Sequence, residues 1–328
     1  MKKILVIRFS SIGDIVLTTP VVRALKEQLD STEIHYLTKP QFGAILSGNP
    51  YIDQVHFLNK KTSDLIKDLK QEDFDCIIDL HRNLRTSRIK MLLRKPAYTF
   101  PKLNVQKWFT VNFKTKSLPK VHIVDRYFKA VQPLKVQNDG KGLDYFIPKE
   151  DEVDLETMTG TKNVLAVAIG AQFATKRLPV DKLVEVLKEV NTSIVLLGGP
   201  TDVSTAKELV AKLTDQKIVN KCGELSLNQS ASVVRQSKAL LTHDTGLMHI
   251  ASAFDTPIVS VWGNTIPEFG MYPYRGKDEK NVHIHQVEGL SCRPCSKIGY
   301  QKCPKGHFKC MNNQNTKAIA ADLNTFIN

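Results

Sequence analysis

Short apolar runs alternate with longer amphipathic stretches along this 328-residue chain. In the first half, Lys3–Ile7, Glu33–Leu37, Val55–Leu58 and Cys76–Leu80 have the length and β-branched content of buried strands. Thr19-Pro20 marks a helix start, because proline lacks an N–H that the first turn leaves unpaired anyway, and Val21–Leu29 follows as the helix. From Pro148 to Thr161 the rhythm breaks, and the acidic run Lys149-Glu150-Asp151-Glu152 reads as an interdomain linker. The rhythm then restarts. Val164–Ile169 and Ser193–Leu197 are strands ending in glycine, and Lys217–Asn220, Ala239–Thr242 and Ile258–Val261 are further short buried strands. Helices are predicted from Leu178-Pro179 to about Val190, from Asp202 to Leu213, and over Thr316–Ile327. Strands that alternate with helices predict parallel sheets covered on both faces. The expected fold is α/β, with two doubly wound, Rossmann-like domains facing a central cleft, over residues 1–155 and 156–328.

Composition narrows the class. Hydrophobic residues make up 42% of the chain, which suits a globular protein with substantial cores. No apolar run approaches the ~20 residues that cross a bilayer. Met1-Lys2-Lys3 precedes only four apolar residues before Arg8, too few for an export signal, so a cytoplasmic location is predicted. The net charge is +13, and it is unevenly spread. No Asp or Glu falls between Asp79 and Asp125, while Arg82, Arg85, Arg88, Lys90, Arg94, Lys95, Lys102, Lys107, Lys114, Lys116 and Lys120 all do. Trp108, Phe109 and Phe113 are interleaved with them. A solvated basic helix is the plain reading, and an anionic partner or membrane surface is the functional one. No nucleic-acid-binding signature accompanies the run.

Five motifs carry candidate chemistry. Arg8-Phe9-Ser10-Ser11-Ile12-Gly13-Asp14 places a carboxylate just past the first strand, on the edge where open α/β sheets bind ligands. Asp14 there suits a base, or else it caps the next helix. A single glycine and an acid do not make a dinucleotide-binding loop. Gly170-Ala171-Gln172-Phe173-Ala174-Thr175-Lys176-Arg177 ends in two cations at a helix start, where the helix dipole disfavours them. A bound phosphate would compensate them, and simple exposure would too. Gly198-Gly199-Pro200-Thr201-Asp202 allows close backbone approach. Leu240–Ala251 contains Asp244-Thr245-Gly246-Leu247 at a strand-to-helix turn whose unpaired amides suit a diphosphate. His249 on that helix is either a ligand contact or a core residue. Asp-Thr-Gly also marks aspartic proteases, but those need two such carboxylates. Cys292, Cys295, Cys303 and Cys310 lie within twenty residues. They allow a structural zinc, free thiols or a redox pair.

Together these motifs resemble glycosyltransferase family nine, the lipopolysaccharide heptosyltransferases. The resemblance rests on Ile-Arg-Phe-Ser-Ser-Ile-Gly-Asp-Ile-Val-Leu-Thr-Thr-Pro, Gly-Ala…Lys-Arg-x-Pro, Leu-Gly-Gly-Pro-x-Asp and Asp-Thr-Gly-Leu-Met-His-Ile-Ala-Ser-Ala, in that order. It implies a GT-B fold and an inverting, metal-independent and cofactor-free transfer of heptose from an ADP-linked donor to the lipopolysaccharide inner core. It matches the family base to Asp14 and the donor-phosphate lysine to Lys176. The implied donor site is Gly170, Ala171, Thr175, Arg177, Gly199, Asp244, Thr245, Gly246, Leu247 and His249. The expected acceptor contacts are Ser11, Gly13, His81, Arg82 and Arg85. The expected partners are an ADP-heptose-like nucleotide sugar, an anionic glycolipid and the inner face of the inner membrane, with no nucleic acid. One departure is Leu178, where the family usually has Trp. A same-fold transferase with another donor and a non-catalytic nucleotide-sugar or lipid binder stay open. An epimerase would need a dinucleotide fingerprint, and none is present.

Overall fold

The computed structural model describes residues 2–58, 62–115, 117–276 and 280–327. In chain order the regular elements begin β1 (Lys2–Ile7), α1 (Ile12–Val16), α2 (Thr19–Gln28), β2 (Thr32–Thr38), β3 (Gln54–Phe57), α3 (Thr62–Gln71), β4 (Cys76–Asp79), α4 (Leu84–Leu93), β5 (Ala97–Thr99), α5 (Asn104–Phe113) and α6 (Ile123–Val131). They continue with α7 (Leu155–Thr159), β6 (Val164–Ala168), α8 (Val180–Lys188), β7 (Ser193–Leu197), α9 (Val203–Lys212), β8 (Ile218–Asn220), α10 (Leu227–Gln236) and β9 (Ala239–His243). The chain ends with α11 (Gly246–Ala251), β10 (Ile258–Trp262), β11 (Val282–Gln286), α12 (Lys309–Asn312) and α13 (Thr316–Ile327). No helix among the described residues is long and apolar enough to cross a membrane.

Two compact units result. One comprises Met1–Lys102, Val121–Pro148 and Tyr274–Asp278. The other comprises Leu103–Lys120, Lys149–Pro273 and Glu279–Asn328, so α5 packs with the second unit although it lies in the first half of the sequence. The stretch read as a linker is partly ordered, since it contains α7, whose N-cap Asp154 accepts from the Thr157 amide.

Each unit holds one parallel sheet. The first has strand order β3-β2-β1-β4-β5 and the second β11-β10-β9-β6-β7-β8. In each, the chain starts at the middle, walks to one edge, returns and walks to the other. The strand order therefore reverses between β1 and β4 and between β6 and β9. At such switch points the loops leaving adjacent strands diverge, which opens a crevice at the strand carboxyl ends.

Burial explains why these sequences form central strands. Ile4, Leu5, Val6 and Ile7 of β1 are all fully buried. In β6 the residues alternate between two cores. Leu165 and Val167 join Leu183, Val186, Leu187, Ile319 and Leu323 on one face. Val164, Ala166 and Ala168 join Val233, Val234, Met248 and Trp262 on the other. A strand covered on both sides must be apolar throughout. Each such Leu, Ile or Val contributes about 1.5–3 kcal/mol on burial.

Candidate active site

The first unit gathers its predicted residues at the β1–β4 switch point. Asp14 is the third residue of α1. Its Oδ2 accepts from the Ser11 amide at 3.2 Å and from Ser11 Oγ at 2.7 Å, which is the reciprocal half of a capping box. Its Oδ1 meets the Arg8 guanidinium at 2.6 Å. Capping and functional placement thus coexist in one carboxylate, whose side chain stays 22% exposed.

Arg8 is itself fixed. It donates to Ser10 O at 2.8 Å, to Leu80 O at 2.6 Å and to the Tyr127 hydroxyl at 3.1 Å. The Leu80 contact ties the loop after β1 to the loop after β4. Burial works against the Arg8 charge, but Asp14, Tyr127 and Tyr36 outweigh it and hold its pKa above the ordinary value. Arg8 belongs to the opening motif, but sequence reasoning gave it no role.

At the end of β4, buried Asp79 Oδ1 accepts from the amides of His81 at 3.1 Å and Arg82 at 2.7 Å, and Oδ2 meets Lys90 at 2.7 Å. His81 packs on the Phe9 ring with centroids 4.8 Å apart. Its buried Nδ1 has no hydrogen-bond partner. Its pKa is pushed down to about 4, first by burial and then by Arg8 and Lys102. Lys102 is lowered by burial and by the same Arg8, so it too lies near the cluster. Arg82 donates to Phe100 O at 2.9 Å. Arg85 stands exposed on the first turn of α4. Gly13 is buried within α1. Lys116 of the basic run lies outside the described residues.

The second unit builds its cluster at the β6–β9 switch point. Lys176 Nζ lies 2.6 Å from Asp244 Oδ2, and Thr265, just past β10, donates its hydroxyl to the same oxygen at 2.9 Å. Thr245 is the N-cap of α11, Gly246 opens that helix, and Thr245 Oγ1 lies 3.3 Å from Thr242 Oγ1. Leu247 packs against one core, and His249 is 3% exposed.

Arg177 and Thr175 serve as braces in this geometry. Arg177 donates to Ala171 O through Nε at 2.9 Å and pairs with Asp202 at 3.2 Å. Asp202 in turn accepts from the Gly199 amide at 2.9 Å. Arg177 therefore joins the loops after β6 and β7. Gly170 fits because a Cβ there would lie 2.2 Å from Asp202 Oδ2. Buried Thr175 donates to Tyr300 O at 2.9 Å and accepts from the Tyr300 amide at 2.8 Å. Leu178 is buried in the core, and its amide donates to His243 Nε2 at 2.9 Å.

The cysteine-rich segment supports this edge. Arg293 donates to Thr265 O at 2.8 Å, and the Cys295 amide donates to Asn264 O at 3.1 Å. All six cysteines are free thiols. Burial, then the neighbouring Cys295, pushes the Cys310 thiol up to about 12 against the opposing charge of Arg293. Among the described residues, one group of three metal-binding side chains has ligand atoms within 4.8 Å of one another, namely His35, His56 and Glu72. The four cysteines of the tail do not gather that closely. Lys3 donates to Glu72 at 2.9 Å, so an ammonium already balances that charge.

Each unit thus presents a fixed carboxylate, and the second adds a lysine, at the carboxyl ends of a doubly wound sheet. Comparison with known proteins gives this arrangement a family. The model of glycosyltransferase family 9 (heptosyltransferase) matches residues 62–301. The chain belongs to glycosyltransferase family 9. It is 25% identical over 296 residues to lipooligosaccharide heptosyltransferase 2 of Haemophilus ducreyi, covering 81% of this chain and 85% of that one. A glycosyl transferase of family 9 from Veillonella parvula superposes with a TM-score of 0.78 at 21% identity, covering 99% of this chain and 97% of the other. The E. coli ADP-heptose LPS heptosyltransferase II superposes at 0.74 with 19% identity, covering 100% and 98%. The fold is GT-B, and this family 9 protein is a glycosyltransferase.

Proposed function

We propose that this family 9 enzyme transfers a heptosyl residue from ADP-heptose to the inner core of a lipopolysaccharide acceptor of the Kdo–lipid A type. The reaction inverts the anomeric centre, needs no metal, and takes place at the cytoplasmic face of the inner membrane. The observation that carries this reading is the Asp14 carboxylate, held by Arg8 and Ser11 at the edge of the first sheet yet open to solvent.

A sugar hydroxyl is a weak nucleophile, and a positioned carboxylate accepts its proton as attack proceeds. The acceptor oxygen bonds to the anomeric carbon, the carbon–oxygen bond to the diphosphate breaks, and ADP leaves with the electron pair. The charge that develops on the diphosphate is met by Lys176 and by amides at the start of α11. Asp244 accepts hydrogen bonds only, so its partners on the donor are hydroxyl groups, while Lys176 faces the phosphates. Arg177, Asp202 and Thr175 position the loops that carry these groups. Arg82, Arg85 and Lys102 give the first unit a cationic edge suited to an acceptor bearing phosphates and acidic sugars, with the neutral His81 ring beside them.

The test is ADP release from ADP-heptose with a Kdo–lipid A acceptor in the presence of EDTA. Release that depends on acceptor and survives chelation is expected. Asp14→Asn is expected to lower kcat by roughly 10²–10⁴-fold, the range for a lost general base. Near-normal turnover in that variant removes Asp14 from the mechanism. Release only with a different nucleotide sugar redirects the donor assignment.

A further inference from the structure

We propose that α5 docks the protein on an anionic bilayer by inserting an aromatic stripe into the membrane interface. A helix on a globular protein normally turns its apolar face to the core. In α5 the order is reversed. Val105, Trp108, Phe109 and Phe113 are 65%, 50%, 43% and 63% exposed, whereas Thr110 is 4% exposed. Val105, Trp108 and Phe109 follow helical i, i+3, i+4 spacing, and Phe113 stands one turn beyond Phe109, so all four share one outer stripe. The three rings touch one another, with centroids 5.2, 5.6 and 5.7 Å apart. The helix is anchored from beneath by polar groups. Lys107 lies over the Phe269 ring at 5.4 Å, and Lys114 donates to Pro294 O at 2.8 Å.

Charge selects the occupant. The segment Leu103–Lys120 carries Lys107, Lys114, Lys116 and Lys120 and no acidic residue. Aromatic side chains flanked by lysines favour the headgroup region of an anionic membrane. A protein partner with an apolar groove would gain nothing from a lysine-rich segment that has no acidic residue of its own. The docking serves the glycolipid acceptor proposed above and rests on that reading for its purpose, whereas vesicle binding is measured without any substrate.

The chain has two tryptophans. Trp262 is fully buried, with its indole donating to Ser260 Oγ at 3.1 Å, so a spectral change on membrane binding reports Trp108. Vesicles of phosphatidylethanolamine and phosphatidylglycerol are expected to shift the emission to the blue. Brominated acyl chains are expected to quench it, and phosphatidylcholine vesicles to have far less effect. Rising salt should weaken the interaction. Phe109→Ser with Phe113→Ser should reduce vesicle partitioning by roughly tenfold or more. Turnover on a deacylated, soluble acceptor should be retained, which shows that the variant is folded. An unchanged Trp108 spectrum with anionic vesicles overturns the proposal. So does a concentration-dependent dimer that Trp108→Ser abolishes, because the stripe would then be a contact between copies. Vesicle binding without heptosyl transfer would reject the donor and acceptor assignment and keep the docking. Transfer to the soluble acceptor without vesicle binding would do the reverse.

Discussion

Lys176 and Asp244 are paired at 2.6 Å, and the pairing decides what the loss of either does. Lys176→Ala removes the charge that meets the departing diphosphate and also leaves Asp244 unbalanced beside it. Losing one donor of this kind costs about 3–4 kcal/mol of transition-state stabilisation. The variant is expected to show kcat/KM lowered by at least that amount, and Lys176→Ala with Asp244→Asn to cost less than the sum of the two. Steady-state kinetics of the four proteins checks this, and an unchanged kcat/KM in Lys176→Ala removes the lysine from the site. Both residues stand in separate motifs of the sequence, each legible by its place between a strand and a helix. Their partner Thr265 was not legible. It is a lone threonine after β10, and it reaches Asp244 only because β10 lies beside β9 in the sheet. Arg177 shows the converse. A cation at a helix start was readable as needing a partner, but that partner proved to be Asp202 and the Ala171 carbonyl, contacts that depend on the loop's path.

The elements most visible in the sequence are those buried on both faces. β1, β6, β7, β9 and β10 are predominantly apolar because each lies inside its sheet. β5 and β11 escaped the pattern for the opposite reason. β5 has three residues, two of them exposed, and β11 reads Val-His-Ile-His-Gln on a half-buried outer edge. The loops after central strands carry the chemistry and pack by backbone shape, so a small change there has a large effect. Gly170→Ala would drive a Cβ to 2.2 Å from Asp202 Oδ2 and 2.9 Å from its Cγ. Asp202 is buried and bonded to Gly199 and Arg177, so relief requires breaking one of these contacts. Overpacking of this kind costs about 1–3 kcal/mol. The expected outcome is a lower urea midpoint together with a raised KM for the nucleotide sugar, while KM for the acceptor stays near its parent value. A variant with parental midpoint and donor KM would show that the loop yields freely.

Across the whole molecule, buried and half-buried histidines couple folding to pH. His81 in the first unit and His243 in the second are each pushed down to about 4, in both cases first by burial. Arg8 and Lys102 add to this at His81, against Asp14 and Asp79. At His243 Arg177 adds to it, against Gly170 O and Asp244. His56 is lowered as well, by burial and then by His35. The chemistry agrees with the direction at His243, because its Nε2 accepts the Leu178 amide and a proton there would break that bond. A histidine whose folded pKa lies below its unfolded value near 6.5 takes up a proton on unfolding once the pH is below 6.5. Its stabilising contribution is complete above that value and is lost as the pH falls toward the folded pKa. At pH 5 the loss is on the order of 2 kcal/mol for each of His81 and His243, with His56 adding in the same direction. Urea unfolding at pH 7.5 and pH 5 (about 1 and 1.5 units either side of the unfolded value) is expected to show a clear fall in midpoint. His243→Gln, which keeps an acceptor for the Leu178 amide but does not titrate, should reduce that fall by the contribution of one histidine. A midpoint that stays constant between the two conditions would mean that these rings are already solvated, or already protonated, in the folded protein.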